Sequence, residues 1–338
     1  ESVQRYVGDW TELTRRSGTW IDTEDAYWTL SNAYIESVWW LVGQLWERDL
    51  LYEGHRVVPY CARCGTALSS HELGQPGAYR DVVDPSVYVR FPLRDDDADL
   101  LVWTTTPWTL ISNVAAADGP DIDYVRVLAD TLGTTGRDLL LAEARLPEGA
   151  DTGVIERLTG KDLVGRSYVR PFDLLDLDAG SDGEAWRGLG AGIVRTPARS
   201  GSVAPAPAFG EDDHRVCTEA GLGVLNPVNA QGAFDDRVIP WAGVFVKDAD
   251  RGIVDDLEAR GLLVREEHYE HSYPHCWRCS TPLIYWAKTS WFVRTSSRRE
   301  LLLAENETIG WHPPAIKHGR FGHWLEGNVD WALSRDRY

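Results

Sequence analysis

The sequence predicts an α/β chain with an inserted β-rich domain, and three observations lead to this fold class. A Cys-x-x-Cys phrase, Pro59–Leu68, recurs as Pro274–Leu283 about 210 residues later. Between the two copies, several short runs alternate apolar and polar residues or are continuously apolar, as strands do. A helical apolar spacing precedes the first copy. We therefore predict domain bounds at 1–74, 75–265 and 266–338. The two copies of the Cys-x-x-Cys phrase, which we call the knuckles, lie at the junctions.

Length and composition fit a folded chain of two or three domains. The 338 residues are 43% hydrophobic and include 16 Trp, which is enough to build a large core. No run of about 18 apolar residues occurs, so we expect no membrane span. The chain contains no Met, and we expect it to be an internal piece of a longer protein.

The formal net charge of −18 argues against a nucleic-acid binder that relies on overall charge. Local basic clusters leave room for a basic groove, although a solvated surface is the default interpretation of each cluster. These clusters are Arg15–Arg16, Arg298–Arg299, and Lys317 with Arg320, Arg335 and Arg337.

The individual elements follow from apolar spacing. Ser31 can cap a helix over 32–48, and further helices are predicted over 211–221 and 249–260. Residues 173–192 are rich in Gly and Asp and predict a loop, and the prolines of 196–208 exclude a helix there. The predicted strands contain Val87–Phe91, Leu100–Trp103, Val125–Val127, Leu139–Leu141, Leu283–Tyr285 and Trp291–Val293.

The two knuckles supply four of the five cysteines, namely Cys61, Cys64, Cys276 and Cys279. Four thiolates are the ligand set of a structural zinc ion, so one shared zinc is the favoured interpretation. Two disulfides, free thiols and a redox pair are the alternatives. The few cysteines, spaced for a metal, favour a reducing cytoplasm. Cys217 stands apart and is typical of a small buried apolar residue.

A string of hydroxyl residues follows the predicted inner strand. Hydroxyls can hold a water molecule or a carbonyl oxygen, but they are poor nucleophiles unless a base stands close. A threonine-rich strand end without function is the alternative. The string is Trp103-Thr104-Thr105-Thr106-Pro107-Trp108-Thr109.

Along almost its whole length the chain closely resembles the isoleucyl-tRNA synthetases, which are class I aminoacyl-tRNA synthetases. Thr106 and Trp108 match the isoleucyl pattern, whereas valyl and leucyl enzymes typically carry Arg and an acidic residue there. The other matching stretches are Tyr34–Trp40, Leu51–Gly54, the first knuckle with Ser69–Glu72, Asp84–Val89, Ala208–Asp213, His271–Cys276 and Asn328–Arg335.

The resemblance implies a Rossmann-type catalytic domain interrupted by a β-barrel-like editing domain that hydrolyses valine attached to isoleucine tRNA. Thr104, Thr105 and Thr106 would position water and exclude isoleucine, and Trp103 and Thr109 would shape the pocket. Asp213 would hold the α-ammonium group of the substrate.

Trp331, Ser334 and Arg335 would belong to the wall of the synthetic site. ATP and magnesium would serve the full-length enzyme, whose two ATP signatures do not occur in this chain. The fragment is therefore not expected to charge tRNA(Ile) by itself. The resemblance also implies a monomeric cytoplasmic protein.

Several departures from the family pattern fall inside the predicted editing domain. Arg195 stands where the family usually has His, and about eight extra residues follow it. Ile111 and Asp118 replace a customary proline and an apolar residue. We therefore expect weakened editing; a non-catalytic, zinc-stapled tRNA-binding module and a valyl or leucyl relative are the alternative functions.

Overall fold

The computed structural model describes residues 4–177, 184–192, 194 and 200–334. The chain divides into two compact units, one formed by Glu1–Gly54 with Ser290–Arg335 and the other mainly by His55–Thr289. Both knuckles belong to the second unit. The finer domain bounds at 1–74, 75–265 and 266–338 stay a prediction.

The α-helices among the described residues are α1 (Val7–Arg16), α2 (Asn32–Trp46), α3 (Ser70–Leu73), α4 (Glu211–Glu219), α5 (Val246–Ala259), α6 (Arg299–Thr308) and α7 (Arg320–Glu326). The strands are β1 (Leu51–Cys61), β2 (Thr66–Ala67), β3 (Tyr79–Pro92), β4 (Ala98–Thr104), β5 (Ala116–Asp118), β6 (Asp123–Val127), β7 (Asp138–Ala142), β8 (Val154–Thr159), β9 (Gly188–Gly190), β10 (Ser202–Val203), β11 (Leu263–Pro274), β12 (Ile284–Val293) and β13 (Trp331–Ala332).

Three helices form where their sequence patterns predict them. The Oγ of Ser31 accepts a 3.3 Å hydrogen bond from the Tyr34 backbone N–H and so caps α2, as expected. Helix α4 covers most of the predicted 211–221 segment. Helix α5 begins three residues before the predicted start, and Gly261 follows it with φ of +70°. No described helix is both long and apolar enough to span a membrane.

A nine-stranded mixed sheet organises the second unit. Its main path runs β8-β6-β7-β4-β10-β5-β9, while β3 pairs with β4 and the long β11 pairs with β3. Strand β10 lies parallel to the end of β4, with Val203 opposite Trp103, and antiparallel to β5, with Ser202 opposite Asp118. The described pairings do not close this sheet into a barrel.

Two local predictions need correction. Leu283–Tyr285 and Trp291–Val293 belong essentially to one continuous strand, β12, rather than two, because residues 286–290 between them also adopt extended backbone. The predicted 173–192 loop contains the short strand β9, which pairs with β5 although Gly188 and Gly190 weaken its strand signal. Residues 178–183 lie outside the described part of the chain.

Helix α5 presents one buried stripe to the core of the second unit. Ile253, Val254 and Leu257 are fully enclosed there, and Asp250 occupies the same stripe one turn earlier with only 7% of its surface exposed. The helix packs against the 3-10 helix Pro107–Ser112, which continues directly from the hydroxyl string. A carboxylate therefore lies buried at the base of that string.

Candidate functional site

The hydroxyl string begins at the end of β4 and turns into the 3-10 helix. The Oγ1 atom of Thr106 lies 3.3 Å from that of Thr104 and 3.2 Å from that of Thr109. The Thr104 hydroxyl also accepts a 3.1 Å hydrogen bond from the Thr106 backbone N–H, and the Thr109 hydroxyl donates to the Thr106 carbonyl at 2.8 Å. Three hydroxyls therefore form one connected chain at the strand end.

The four residues from Trp103 to Thr106 are partly buried, whereas Thr109 is buried. The Trp103 ring meets the Tyr269 ring edge to face, with centroids 6.0 Å apart. Buried hydroxyls in fixed positions can orient a polar substrate atom without reorganising. The hydroxyls of Thr104, Thr106 and Thr109 contact one another and backbone groups, so the string has the chemistry of a binding and orienting surface rather than of an activated nucleophile.

Trp108 joins the hydroxyl string to the segment that carries Asp213. Its backbone N–H donates a 2.9 Å hydrogen bond to Oδ1 of Asp250, and both residues are buried. Its ring packs edge to face on Phe209, with centroids 4.6 Å apart. Phe209 lies four residues before Asp213, so this one side chain brings the two sequence motifs together.

Asp213 sits in the first turn of α4, and its carboxylate folds back toward the chain that precedes the helix. Its Oδ2 accepts a 3.0 Å hydrogen bond from the Ala206 backbone N–H. Burial raises the pKa of Asp213 to about 6, and the hydrogen bond from Ala206 opposes that rise. A partly buried carboxylate of this kind can bind a cation strongly when it is ionised.

Asp118, on strand β5 of the nine-stranded sheet, is another buried carboxylate. Its Oδ1 accepts a 2.5 Å hydrogen bond from the Ser202 hydroxyl, while its buried Oδ2 has no hydrogen-bond partner among the described residues. Burial raises the pKa of Asp118 to about 7. The resemblance predicts an apolar residue at this position, and the structure shows an acid inside the core there.

The two knuckles converge in the second unit. The Sγ atoms of Cys61 and Cys279 lie 3.4 Å apart, those of Cys64 and Cys276 lie 4.0 Å apart, and all four lie within 4.8 Å of one another. All five cysteines are free, so the two disulfides considered as an alternative are not present. The shared four-cysteine cluster that the spacing predicts is therefore confirmed.

The sulfur geometry fits a tetrahedral metal ion. Zn–S bonds of about 2.3 Å place tetrahedral sulfurs about 3.8 Å apart. The two pairs above lie at 3.4 and 4.0 Å, and no pair of the four exceeds 4.8 Å. The residues after the second cysteine also match, because Gly65 and Ser280 both adopt left-handed backbone with φ of +64° and +63°. The repeated phrase therefore folds twice into the same turn.

The remaining predicted residues are dispersed. Thr105 is partly buried but lies outside the connected chain of hydroxyls. Trp331 lies in β13 of the first unit, where it pairs with Val293 and is 56% exposed. Arg195, its extra neighbours Thr196–Arg199, and Arg335 lie outside the described residues. The structure thus brings together the hydroxyl string and the segment of Asp213, and it places Trp331 in the other compact unit.

Sequence reasoning missed Asp250. The sequence does contain a signal for it, because Asp250 begins the i, i+3, i+4, i+7 spacing of apolar residues on α5. A charged residue in such a buried stripe is expected to be paired or functional. It also missed the pair formed by Tyr168 and Asn113, in which the buried phenol donates a 2.6 Å hydrogen bond to the amide oxygen. No local pattern reveals that pair, since 55 positions separate its members.

Known proteins resemble the chain over its whole length. The profile of the family described as tRNA synthetases class I (I, L, M and V) matches residues 1–338. The isoleucine–tRNA ligase of Streptomyces coelicolor is 48% identical over 342 residues, and that of Thermobifida fusca is 47% identical over 348. Each alignment covers 100% of this chain and 32% of the relative, so the chain spans about a third of their length.

Solved structures give a weaker similarity. The structure titled GlLeuRS-CP1 has a TM-score of 0.41 and 13% identity, and it covers 54% of this chain and 99% of that one. The editing domain of the cytosolic leucyl-tRNA synthetase of P. knowlesi has a TM-score of 0.39 and 10% identity over 56% of this chain and 97% of that one.

Proposed function

Since this chain belongs to the class I tRNA synthetase family, we propose that it is the part of an isoleucine–tRNA ligase that carries a hydrolytic editing site. Its substrate is valine wrongly esterified to tRNA(Ile). A single observation carries the proposal: the connected hydroxyls of Thr104, Thr106 and Thr109 stand at a strand end that Trp108 joins to the segment of Asp213.

The need for a second site follows from the chemistry of the two amino acids. A hydrophobic pocket gains only about 1–3 kcal/mol from one methylene, a figure that comes from this class of enzymes itself and not from this structure. A synthetic site therefore charges some valine, and a hydrolytic site must remove it. Threonine side chains that narrow the pocket would admit valine and exclude the larger isoleucine.

In the proposed reaction, water attacks the ester carbonyl carbon and the bond to the ribose oxygen breaks. The ribose takes up the proton that the water loses, and free valine leaves. Asp213 would pair with the α-ammonium group of valine, while the hydroxyls of Thr104, Thr105 and Thr106 would orient the water and the ester. Trp103 and Thr109 would shape the pocket. No covalent intermediate is needed, and the terminal hydroxyl of the tRNA would assist the water.

The knuckles would hold one structural zinc ion through Cys61, Cys64, Cys276 and Cys279. When bound, the metal supplies four thiolate bonds that hold the two ends of the intervening segment together. A catalytic zinc keeps an open position for water, and four cysteine ligands leave none. The zinc therefore takes no part in the proposed hydrolysis.

The full-length ligase would use ATP and magnesium at a Rossmann-type catalytic domain, to which residues on both sides of the insertion contribute. Trp331 would lie in the wall of that synthetic site. tRNA(Ile), isoleucine and valine are the proposed partners, and the protein is proposed to act as a monomer in the cytoplasm. The hydrolytic domain itself is proposed to have a barrel-like form.

Incubating the chain with valyl-tRNA(Ile) and isoleucyl-tRNA(Ile), and measuring the free amino acid released, tests the proposal. We expect valine to be released faster than isoleucine. Because Arg195 replaces the usual His, we also expect slower release than the Streptomyces coelicolor relative gives under the same conditions. Release of both amino acids at the rate seen without protein would contradict the editing function.

A second function is favoured by the same substitution. Without the usual His, the domain could hold the end of mischarged or correctly charged tRNA and not hydrolyse it. Saturable tRNA binding together with background hydrolysis would support this non-catalytic module. A valyl or leucyl specificity is disfavoured by Thr106 and Trp108, and the Streptomyces and Thermobifida relatives are isoleucine–tRNA ligases.

A further inference from the structure

Asp250 has no role in the proposed function, yet it is a buried acid in direct contact with the backbone of the hydroxyl string. It contributes to the core from the same helical stripe as Ile253 and Leu257. A carboxylate at such a position costs free energy unless a hydrogen bond compensates it. Its carboxylate accepts the Trp108 N–H, which lies at the first turn of a 3-10 helix where backbone donors lack helical partners.

We propose that Asp250 is a positioning residue for the editing reaction. By accepting the Trp108 N–H, its side chain fixes the turn between Thr106 and Thr109 and thereby sets the spacing of the hydroxyl chain. This inference rests on the proposed editing function of the hydroxyl string. Asp250 itself would touch neither the substrate nor the attacking water molecule.

The geometry transmits a change at Asp250 in two directions. Toward the string, the Thr109 backbone N–H and hydroxyl both donate to the Thr106 carbonyl, at 3.0 and 2.8 Å, so the turn moves as one piece with Trp108. Toward Asp213, the Trp108 ring contacts Phe209, and the chain continues from Phe209 into helix α4, which carries Asp213. A loss of the Asp250 contact would therefore displace both halves of the proposed site.

The surroundings of Asp250 form a groove of about 480 Å³ between α5 and the β3–β11 pair. Burial raises the pKa of Asp250 to about 7, while the Trp108 hydrogen bond and Lys247 lower it. The titratable and charged groups facing it are Lys247, Asp248 and Arg251 on α5, Asp84 on β3, and Glu266, His268 and Tyr273 on β11. The Lys247 ammonium is itself held by Asp84 at 2.8 Å.

Asp250→Asn and Asp250→Ala separate the hydrogen bond from the charge. The amide oxygen of Asn can still accept a hydrogen bond from the Trp108 N–H. We therefore expect the kcat of the Asp250→Asn variant for valyl-tRNA(Ile) hydrolysis to stay within about threefold of that of the unchanged chain. Asp250→Ala removes the acceptor, and displaced catalytic groups can cost up to about a hundredfold. We expect Asp250→Ala to lower kcat about 10- to 100-fold while KM changes less than about threefold.

Asp248→Ala is the matched control, because Asp248 is exposed on the same helix and its loss removes one carboxylate without touching Trp108. It should leave kcat unchanged. A folded Asp250→Ala chain with unchanged kcat would overturn the proposal. So would an Asp250→Asn chain that loses as much as Asp250→Ala, because charge and not the hydrogen bond would then be what matters.

A nuclear magnetic resonance titration reads the contact independently of hydrolysis. The amide proton of Trp108 should change its chemical shift as Asp250 titrates between about pH 5 and 9, and the Asp250→Asn chain should lack that change. An amide proton that does not move in the unchanged chain would overturn the contact itself. A normal titration together with no hydrolysis by the unchanged chain would instead defeat the editing function.

Discussion

Oδ2 of Asp213 accepts the Ala206 backbone N–H at 3.0 Å, so a carboxylate in the first turn of α4 is held against the segment that leads from β10. Burial raises the pKa of Asp213 to about 6. The group is therefore mostly ionised at neutral pH and loses its charge within a mildly acidic range.

Asp213→Asn should slow valyl-tRNA(Ile) hydrolysis. A hydrogen bond to a charged group contributes about 1.5–3 kcal/mol, so we expect kcat/KM to fall about 10- to 100-fold. The hydrolysis rate of the unchanged chain should also fall as pH drops through about 6, because protonation removes the charge that would pair with the ammonium group in the proposed reaction. Rates measured from about pH 5 to 8 check both expectations.

Asp212→Asn is the control for Asp213→Asn. Asp212 is exposed and pairs with Arg215 at 3.1 Å on the outer face of the same helix turn. Its loss should leave kcat/KM within about twofold, since exposed ion pairs contribute little. Equal losses in the two variants would show that the net charge of the turn, and not the ammonium contact, controls the rate.

Cys276→Ser should abolish binding of one metal ion per chain and lower the melting temperature. Removing one thiolate leaves three ligands, and the free energy of metal binding is coupled to folding. Metal content by mass spectrometry and thermal unfolding would measure the two effects. Cys217→Ala, which removes a buried cysteine away from the cluster, should keep the metal. A reduced, folded and unchanged chain without zinc would contradict the shared site.

Asp118→Asn should stabilise the protein at about pH 8 more than at about pH 4. The pKa of Asp118 in the folded chain is about 7, above its ordinary value of 3.8. The folded state therefore keeps a proton that the unfolded state loses, so stability declines as pH rises from about 4 to 7 and is level above that. The shift corresponds to at most about 4 kcal/mol.

Melting temperatures of the Asp118→Asn and unchanged chains, compared at several pH values, test this sign. The difference between them should widen from about pH 4 to 7. Asp130→Asn, which removes an exposed carboxylate, serves as the reference and should show no such widening. A constant difference would mean that the pKa of Asp118 is the same in the folded and unfolded states.

Gly65→Ser should cost little, and Gly65→Val should cost more. Gly65 has left-handed backbone, and Ser280, at the equivalent position of the second knuckle, adopts the same conformation. The Oγ of Ser280 accepts a 2.9 Å hydrogen bond from Arg80. Left-handed backbone costs most residues roughly 1–2 kcal/mol, and a β-branched side chain fits it worst. Denaturant unfolding should give about 1 kcal/mol for Ser and at least about 2 kcal/mol for Val.

Gly43→Ser provides the opposite expectation. Gly43 lies inside α2, and beyond the backbone of its own helix no atom lies within 4 Å of the position that a Cβ would occupy. Serine favours helix over glycine by about 0.5 kcal/mol. Gly43→Ser should therefore stabilise slightly. If both serine variants destabilised equally, backbone conformation would not explain the Gly65 result.

Local sequence signals sufficed wherever the physics was local. The Ser31 cap, the apolar stripe of α5 and the knuckle spacing all lie within a few residues, and each predicted element formed. The contact between Trp108 and Asp250 joins positions 142 apart, and no local pattern encodes its partner. At the level of sequence, Asp118 stands out only through the resemblance to the isoleucyl enzymes. Its burial depends on strands β9 and β10, whose short, glycine- or serine-containing sequences give weak strand signals.

The two knuckles bring together the ends of a very long segment of chain. Cys64 and Cys276 are 212 positions apart, yet their sulfur atoms meet at 4.0 Å. The entropy lost on closing a flexible loop grows only with the logarithm of its length, so even doubling the loop adds about 0.6 kcal/mol. Residues can therefore be gained or lost between the knuckles over evolutionary time with little thermodynamic penalty, and selection on this segment is left to act on its chemistry.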